Sequence, residues 1–529
     1  MTYTRSPLLL CLLATPLLGV MSSGCSEPVT QEPDLGEDMA TTIMPDMATT
    51  TPTQDTGFQE DSDQTPAPAD MSATCQAAHA QEVCQHYNAT CGTLTEVADP
   101  NCPDRLTTIT CGACTSPLDA CVDYQCQLNV ITPPEAITQD HGDRFGHSLA
   151  MHQDNLLVGA PDAILHTAGP HEGSPQGVAV LYQRTTSNTW EAPQILAPKD
   201  SEVLLNTSRY GYAVHIDDTY MAIGAPESKG HGVAYIYEHG SDAIYSVEGE
   251  RSNMQFGAAL TMHEQDLIVG APNWSIGPIS GTGRVFRYPA RTSFSTSTTA
   301  RGDTDGGLTG FALASSPHGL LIGAPVDPTN DINFQRSRIY LSSDINGFDL
   351  DEDAQLISTE LSDPVARNYR SITGMGYSLS TEEDIIIAGA PYMTPRNGDT
   401  SQDKHGGVFV FHIVENQERP TLSQVLYDTT RGDDRFGHAV AIHDNIVAVG
   451  APGAHDDAGV VELYTLDPTT YTLTHLATIN APEEGRLRFG SSVLFDREHT
   501  HLFIGAPGPH FDEEGDTHGR VYTLDISRL

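Results

Sequence analysis

Beyond residue 130 the chain settles into one hydrophobic pattern that returns seven times. In the first copy Phe145, His147, Leu149 and Met151 alternate with Gly146, Ser148 and Ala150, so a strand here carries bulk on one face and is nearly bare on the other. A bare face lets another sheet approach closely. The polar tetrad His152-Gln153-Asp154-Asn155 reads as a turn, and Leu156-Leu157-Val158 as a continuous apolar strand of the kind buried on both sides. Gly159-Ala160-Pro161 then closes the hairpin, because proline cannot donate to a further ladder bond. A third strand, usually opened by glycine, is predicted at 177–182, 232–237, 283–288, 338–341, 407–411, 459–464 and 519–524. A fourth, less regular segment leads to the next copy, as at 192–197 and 421–427.

Aligned, the copies start at Phe145-Gly146, Tyr210-Gly211, Phe256-Gly257, Thr309-Gly310, Met375-Gly376, Phe436-Gly437 and Phe489-Gly490. They reach Gly-Ala-Pro at Gly159, Gly224, Gly270, Gly323, Gly389, Gly450 and Gly505. The paired glycines lie 13 residues apart in six copies and 15 in the last. Four strands in each of seven repeats predict an all-β fold, a seven-bladed β-propeller over 129–529. The seventh copy has three strands before Leu529, and 129–136 is expected to supply its fourth and close the ring.

An aromatic-Gly pair followed by Gly-Ala-Pro resembles the FG-GAP repeats of the integrin α-chain propeller and its bacterial relatives, over about 400 residues. The resemblance implies a disc whose faces bind other macromolecules. It does not carry over the family's calcium sites: the 13-residue spacing leaves turns such as Asp217-Asp218-Thr219 or Asp444-Asn445, too short to wrap a cation that wants six to eight oxygens. The acidic loops at Asp303 to Asp305, His455 to Asp457 and His510 to His518 match no ordered ligand set and read as solvated loops, so no metal or other cofactor is expected. Arg301-Gly302-Asp303 and Arg431-Gly432-Asp433 resemble adhesion tripeptides, but the first copy has Gly142-Asp143 at the same place, and a Gly-Asp turn leading into a blade explains all three. His147 and His438, with the turn residues His152 and His443, invite a metal hypothesis. They occupy equivalent places in separate repeats and read as strand and turn residues.

The segment before the repeats divides into three. Residues 1–25 run from Arg5 through an apolar stretch at 8–21 to Ser22-Ser23-Gly24-Cys25, the layout of a secretion signal too short for a membrane span. The small residues before Cys25 resemble a bacterial lipobox, which implies acylation of that thiol and a place in the cell envelope, at the outer membrane or cell surface; Ser22 departs from the usual leucine. Residues 26–74 repeat Asp-Met-Ala-Thr-Thr and then run through Pro, Thr, Asp and Glu; with almost nothing to bury, they are expected to be a disordered tether. Residues 75–126 hold Cys75, Cys84, Cys91, Cys102, Cys111, Cys114, Cys121 and Cys126, an even set that predicts a small domain held by four disulfides of open connectivity. Cys111-Gly-Ala-Cys114 alone is half a zinc ribbon and has no companion pair.

Charge narrows the partners. Seventy Asp+Glu against 26 Lys+Arg leave a formal charge of -44, which repels nucleic acid and anionic membrane. Contact with a membrane is then expected through a lipid anchor alone. No G-x-S-x-G, H-E-x-x-H or P-loop pattern occurs, so no catalytic residue is assigned and an enzyme is not expected. The expectation is an extracytoplasmic binding or adhesion module presenting a propeller face, through its longer loops, to a protein or glycan. A structural part of an envelope assembly and a hydrolase built from scattered loop residues are the alternatives.

Overall fold

In the computed structural model the described residues run from 129 to 526 with loop segments excepted, the longest being 166–175, 199–207, 327–336, 343–349, 359–368, 396–404 and 509–517. Upstream, the backbone is described for two antiparallel pairs, Thr93–Asp99 with Cys102–Thr110 and Ala120–Val122 with Gln125–Gln127. In the second, Cys121 stands opposite Cys126. The signal, the tether, Cys25, Cys75, Cys84, Cys91, Cys111 and Cys114 lie outside the described residues.

Seven four-stranded antiparallel sheets form the ring. Blade 1 pairs Ser148–His152, Asn155–Ala160, Val178–Gln183 and Gln194–Leu196 in sequence order, and blades 2 to 6 repeat that order. Blade 7 consists of Ser492–Asp496, His501–Ala506, Arg520–Asp525 and Asn129–Ile131, with Val521 opposite Ile131. The strand preceding the first repeat therefore completes the last, and the ring is closed by hydrogen bonds between distant parts of the chain. Third strands begin one residue later than the pattern suggests in blades 1, 2, 3, 6 and 7. Gly177, for example, has φ +78, outside the range a strand residue adopts.

The second strands explain why each repeat needs an unbroken apolar run. Leu156, Leu157 and Val158 are fully buried, as are Val447, Ala448 and Val449 in blade 6. Each faces a neighbouring blade on both sides, so the core is a series of layers between sheets. One layer joins Val408 and Val410 of blade 5 to Val440, Val447 and Val449 of blade 6; another joins Phe503 and Val521 of blade 7 to Leu156, Val158 and Val180 of blade 1.

The glycine of Gly-Ala-Pro is the point of closest approach between blades. A Cβ on Gly159 would lie 2.0 Å from the carbonyl oxygen of Gly211, and the same clash recurs around the ring: Gly224 on Gly257, Gly270 on Gly310, Gly323 on Gly376, Gly389 on Gly437, Gly450 on Gly490 and Gly505 on Gly146. No side chain fits, so the motif couples each second strand to the start of the next blade. Ser148 adds a hydrogen bond to the Gly211 carbonyl at 2.9 Å, Ser378 to Gly437 at 2.9 Å and Ser492 to Gly146 at 2.7 Å.

Candidate functional site

The aromatic-Gly pair is the centre of a turn. The amide of His147 donates to the carbonyl of Arg144 at 3.1 Å, and the equivalent bond forms in all seven blades, ending with Ser491 to Arg488 at 3.1 Å. Gly146 sits third in this four-residue turn with φ +86, and its six counterparts lie between +84 and +89. That is the sign required at the third position of a type II turn, where glycine is the residue without a steric cost. The aromatic before it points into the blade: Phe145, Tyr210, Phe256 and Phe489 are fully buried.

Each turn leads into the first strand, and first strands of successive blades adjoin one another around the axis. The two residues flanking each pair therefore surround one mouth of the central channel. On this face the chain also leaves every second strand for its third, because the hairpin is antiparallel. Following the pair are His147, Tyr212, Ala258, Phe311, Tyr377, His438 and Ser491. Neighbours touch: His147 and Tyr212 ring centres are 4.6 Å apart, Phe311 and Tyr377 4.6 Å, and Tyr377 and His438 5.0 Å. His147 Nδ1 donates to the Tyr212 carbonyl at 3.1 Å and His438 Nδ1 to the Ser491 carbonyl at 3.2 Å, while the Tyr377 hydroxyl donates to His438 Nε2 at 3.3 Å. Burial, reinforced by nearby arginines, pushes His438 down to about 4 and His147 well below its ordinary value. Both imidazoles are neutral at neutral pH, as their hydrogen bonds require.

Before the pair stand Arg144, Arg209, Gln255, Leu308, Gly374, Arg435 and Arg488, all at positive φ between +49 and +90. Four of the seven are arginine, and they fall on consecutive blades 6, 7, 1 and 2. Arg144 meets Asp162 at 3.8 Å, and Arg209 meets Asp162 at 3.6 Å and Glu227 at 3.3 Å. Asp143 makes no ion pair with the arc: its Oδ1 accepts from the amides of Phe145 at 2.8 Å and Gly519 at 3.0 Å, bracing the turn across the blade 7 to blade 1 junction, and its Oδ2 lies 3.9 Å from His518.

The opposite mouth is built otherwise. Turns between first and second strands have two residues in blades 1, 3, 4, 5 and 6, and there histidines meet carboxylates of the adjacent blade. His152 Nε2 lies 2.7 Å from Asp218, His318 Nε2 2.5 Å from Asp384, and His443 Nδ1 2.9 Å from Glu382. Glu382, His443 and Asp444 bring one potential ligand atom each to within 4.8 Å of one another, a set that could hold a metal. Both His443 nitrogens already face carboxylates, Nε2 lying 3.6 Å from Asp444. On the same side Arg184 of blade 1 and Asp496 of blade 7 form a fully buried pair at 2.6 Å.

His147, His152, His438 and His443, read from the sequence as strand and turn residues, therefore have specific partners in neighbouring blades, 53 to 66 residues away in the chain. The position before the pair, arginine in four of seven blades, escaped the sequence analysis, although Asp143-Arg144-Phe145-Gly146 and Asp434-Arg435-Phe436-Gly437 are identical in type. Of the Arg-Gly-Asp tripeptides, Arg301 ends the fourth strand of blade 3, while Asp303, Arg431 and Gly432 lie outside the described residues. So do 509–517 in the last acidic loop, and most of each long loop after Pro161, Pro325 and Pro391. In the remaining acidic loop His455, Asp456 and Asp457 have φ of 55, 60 and 69, a left-handed turn before the third strand of blade 6. Among the described residues no helix is long and apolar enough to cross a membrane.

Residues 428–464, the approach to blade 6 and its first strands, match the family model described as FG-GAP repeat. No curated protein matches the chain.

Proposed function

Because the chain is a seven-bladed β-propeller carrying FG-GAP repeats, consistent with an integrin α-like propeller, we propose that it is an extracytoplasmic binding module held at the cell envelope, and not an enzyme. One observation carries the reading. The turns that open the blades and the connections from second to third strands share a face, the one that surrounds the channel mouth where the four arginines stand.

Those connections are far from uniform. The second strand of blade 6 ends at Ala451 and the third begins at Val460, whereas the corresponding limits are Ala160 and Val178 in blade 1 and Ala390 and Gly407 in blade 5. Loops longer than a hairpin needs, rich in Gly, Pro and Asp, are where binding residues concentrate. The ring fixes the bases of these loops, and a partner protein or glycan would meet a broad surface whose affinity comes from a few anchors, Tyr392 and Phe334 being the candidates the sequence offers. Acylation of Cys25 would hold the module at the outer membrane or cell surface, the segment 26–74 would extend it outward, and four disulfides among the eight cysteines would brace the domain between.

The test is a pull-down from envelope extracts with the soluble chain, wild type against a variant in which residues 392–404 are shortened. Specific partners recovered by the wild type and lost by the variant support the reading. Equal recovery, or none, favours a passive envelope role. Palmitate-analogue labelling of wild type and Cys25→Ser cells tests the anchor, and an unlabelled wild type removes it.

A further inference from the structure

We propose that Arg435, Arg488, Arg144 and Arg209 form an anion-binding arc at the channel mouth that takes a ligand bearing two or more oxyanion groups, carboxylate, sulfate or phosphate. This deepens the loop-face reading, on which it rests for its location, by naming the chemistry of what binds there.

Four observations converge. The first is placement: the arginines occupy one equivalent position on four successive blades, each two residues before the glycine whose backbone abuts the preceding blade, so they are fixed to the most rigid contact in the ring. The second is mutual proximity. The Arg144 cation feels those of Arg209 and Arg488, and His438 on blade 6 feels Arg435, Arg488 and Arg144 from its own blade and the next two. The third is the balance of charge. Among the described residues only Asp162 and Glu227 are ion-paired with the arc, both on its Arg144 and Arg209 side. Arg435 and Arg488 have no such pair, and the Nε atoms of Arg144 and Arg488 are buried without a hydrogen-bond partner.

The fourth observation is the setting. In a chain of 26 cations and 70 anions, four arginines on adjacent blades concentrate positive charge that Asp162 and Glu227 offset on one side only, and an anionic ligand would offset the rest. Guanidinium forks match oxyanions in bidentate geometry, and spreading over four blades suits several such groups on one molecule. The other side of the mouth carries Gln255, Leu308, Phe311 and Tyr377, without a cation at this position. The ligand is thus oriented, its anionic end toward blades 6 to 2 and its uncharged body toward the rings of Phe311 and Tyr377.

Isothermal titration of the full chain with citrate, inorganic phosphate and sulfate tests this. Saturable binding is expected, tightest for citrate. Arg435→Asn and Arg488→Asn should each weaken it about tenfold or more, since each removes charge-assisted hydrogen bonds. Asparagine tolerates positive φ, and either single variant suffices should the other fail to fold. Arg419→Asn, in the exposed loop between third and fourth strands of blade 5, should bind like the wild type. The inference is overturned if none of the three anions binds the folded wild type, if a folded arc variant binds as tightly, or if Arg419→Asn weakens binding equally. Partner capture by the loop face is measured separately, so an arc that takes no anion leaves that reading standing, and an arc that binds citrate survives a failed pull-down.

Discussion

The two mouths of the channel are made from the same repeats and are held by different physics. At the mouth opened by the aromatic-Gly turns, blades meet backbone to backbone, glycine against glycine carbonyl, with room for nothing else. At the far mouth they meet through side chains: His152 with Asp218, His318 with Asp384, His443 with Glu382, and the buried Arg184 with Asp496. At the far end each of these side chains has a partner across the blade junction. The near end is locked chiefly by backbone, and of its four arginines Arg144 and Arg209 pair with Asp162 and Glu227 whereas Arg435 and Arg488 make no ion pair among the described residues. A repeat that locks the ring with backbone at one end can vary the residues flanking that lock without loosening the ring.

The strongest break in the comparison is at the far end. Arg184→Met leaves Asp496 charged and buried without its cation, and should cost about 3–5 kcal/mol in denaturant unfolding. Adding Asp496→Leu should recover most of that, and a double variant as unstable as the single one would show that shape, not charge, holds this junction. At the near end, Gly450→Ala places a Cβ 1.9 Å from the Gly490 carbonyl oxygen and should cost about 3 kcal/mol or more. A wild-type melting midpoint in that variant would mean that the blades can separate there.

A third comparison is made with pH. His438 is held to about 4 in the folded chain and titrates near 6.5 when unfolded, so the unfolded state binds its proton first. The neutral ring's contribution is complete above pH 6.5 and is lost as pH falls from 6.5 through 4. In His438→Gln the decline in unfolding free energy over that window, measured by urea titration, should be smaller by roughly 1–2 kcal/mol, while the value at pH 7.5 changes less. Identical pH profiles would show that the ring is not shielded. Smallest of all, Asp218→Asn at the exposed far-end pair with His152 should change stability by about 0.5 kcal/mol or less, measured in the same unfolding assay.

Much of this was legible in the sequence. The alternation around Phe145, the apolar runs before Gly-Ala-Pro and the glycine spacing, 13 residues in six copies and 15 in the last, specify hairpins, and seven copies specify a ring closed by the segment 129–136, of which Asn129–Ile131 forms the strand. Those features are local and periodic: a strand's faces and a turn's glycine are fixed by neighbours a few residues away. What tertiary structure alone decided is which distant residues meet. His443 reaches Glu382 across 61 residues, Arg184 reaches Asp496 from the other end of the propeller, and Arg435, Arg488, Arg144 and Arg209 become an arc because blade 7 adjoins blade 1. Sequence order separates Arg488 from Arg144 by most of the chain. Circular closure makes them neighbours; the repeat pattern anticipates that closure, but not which side chains it brings together at the mouth.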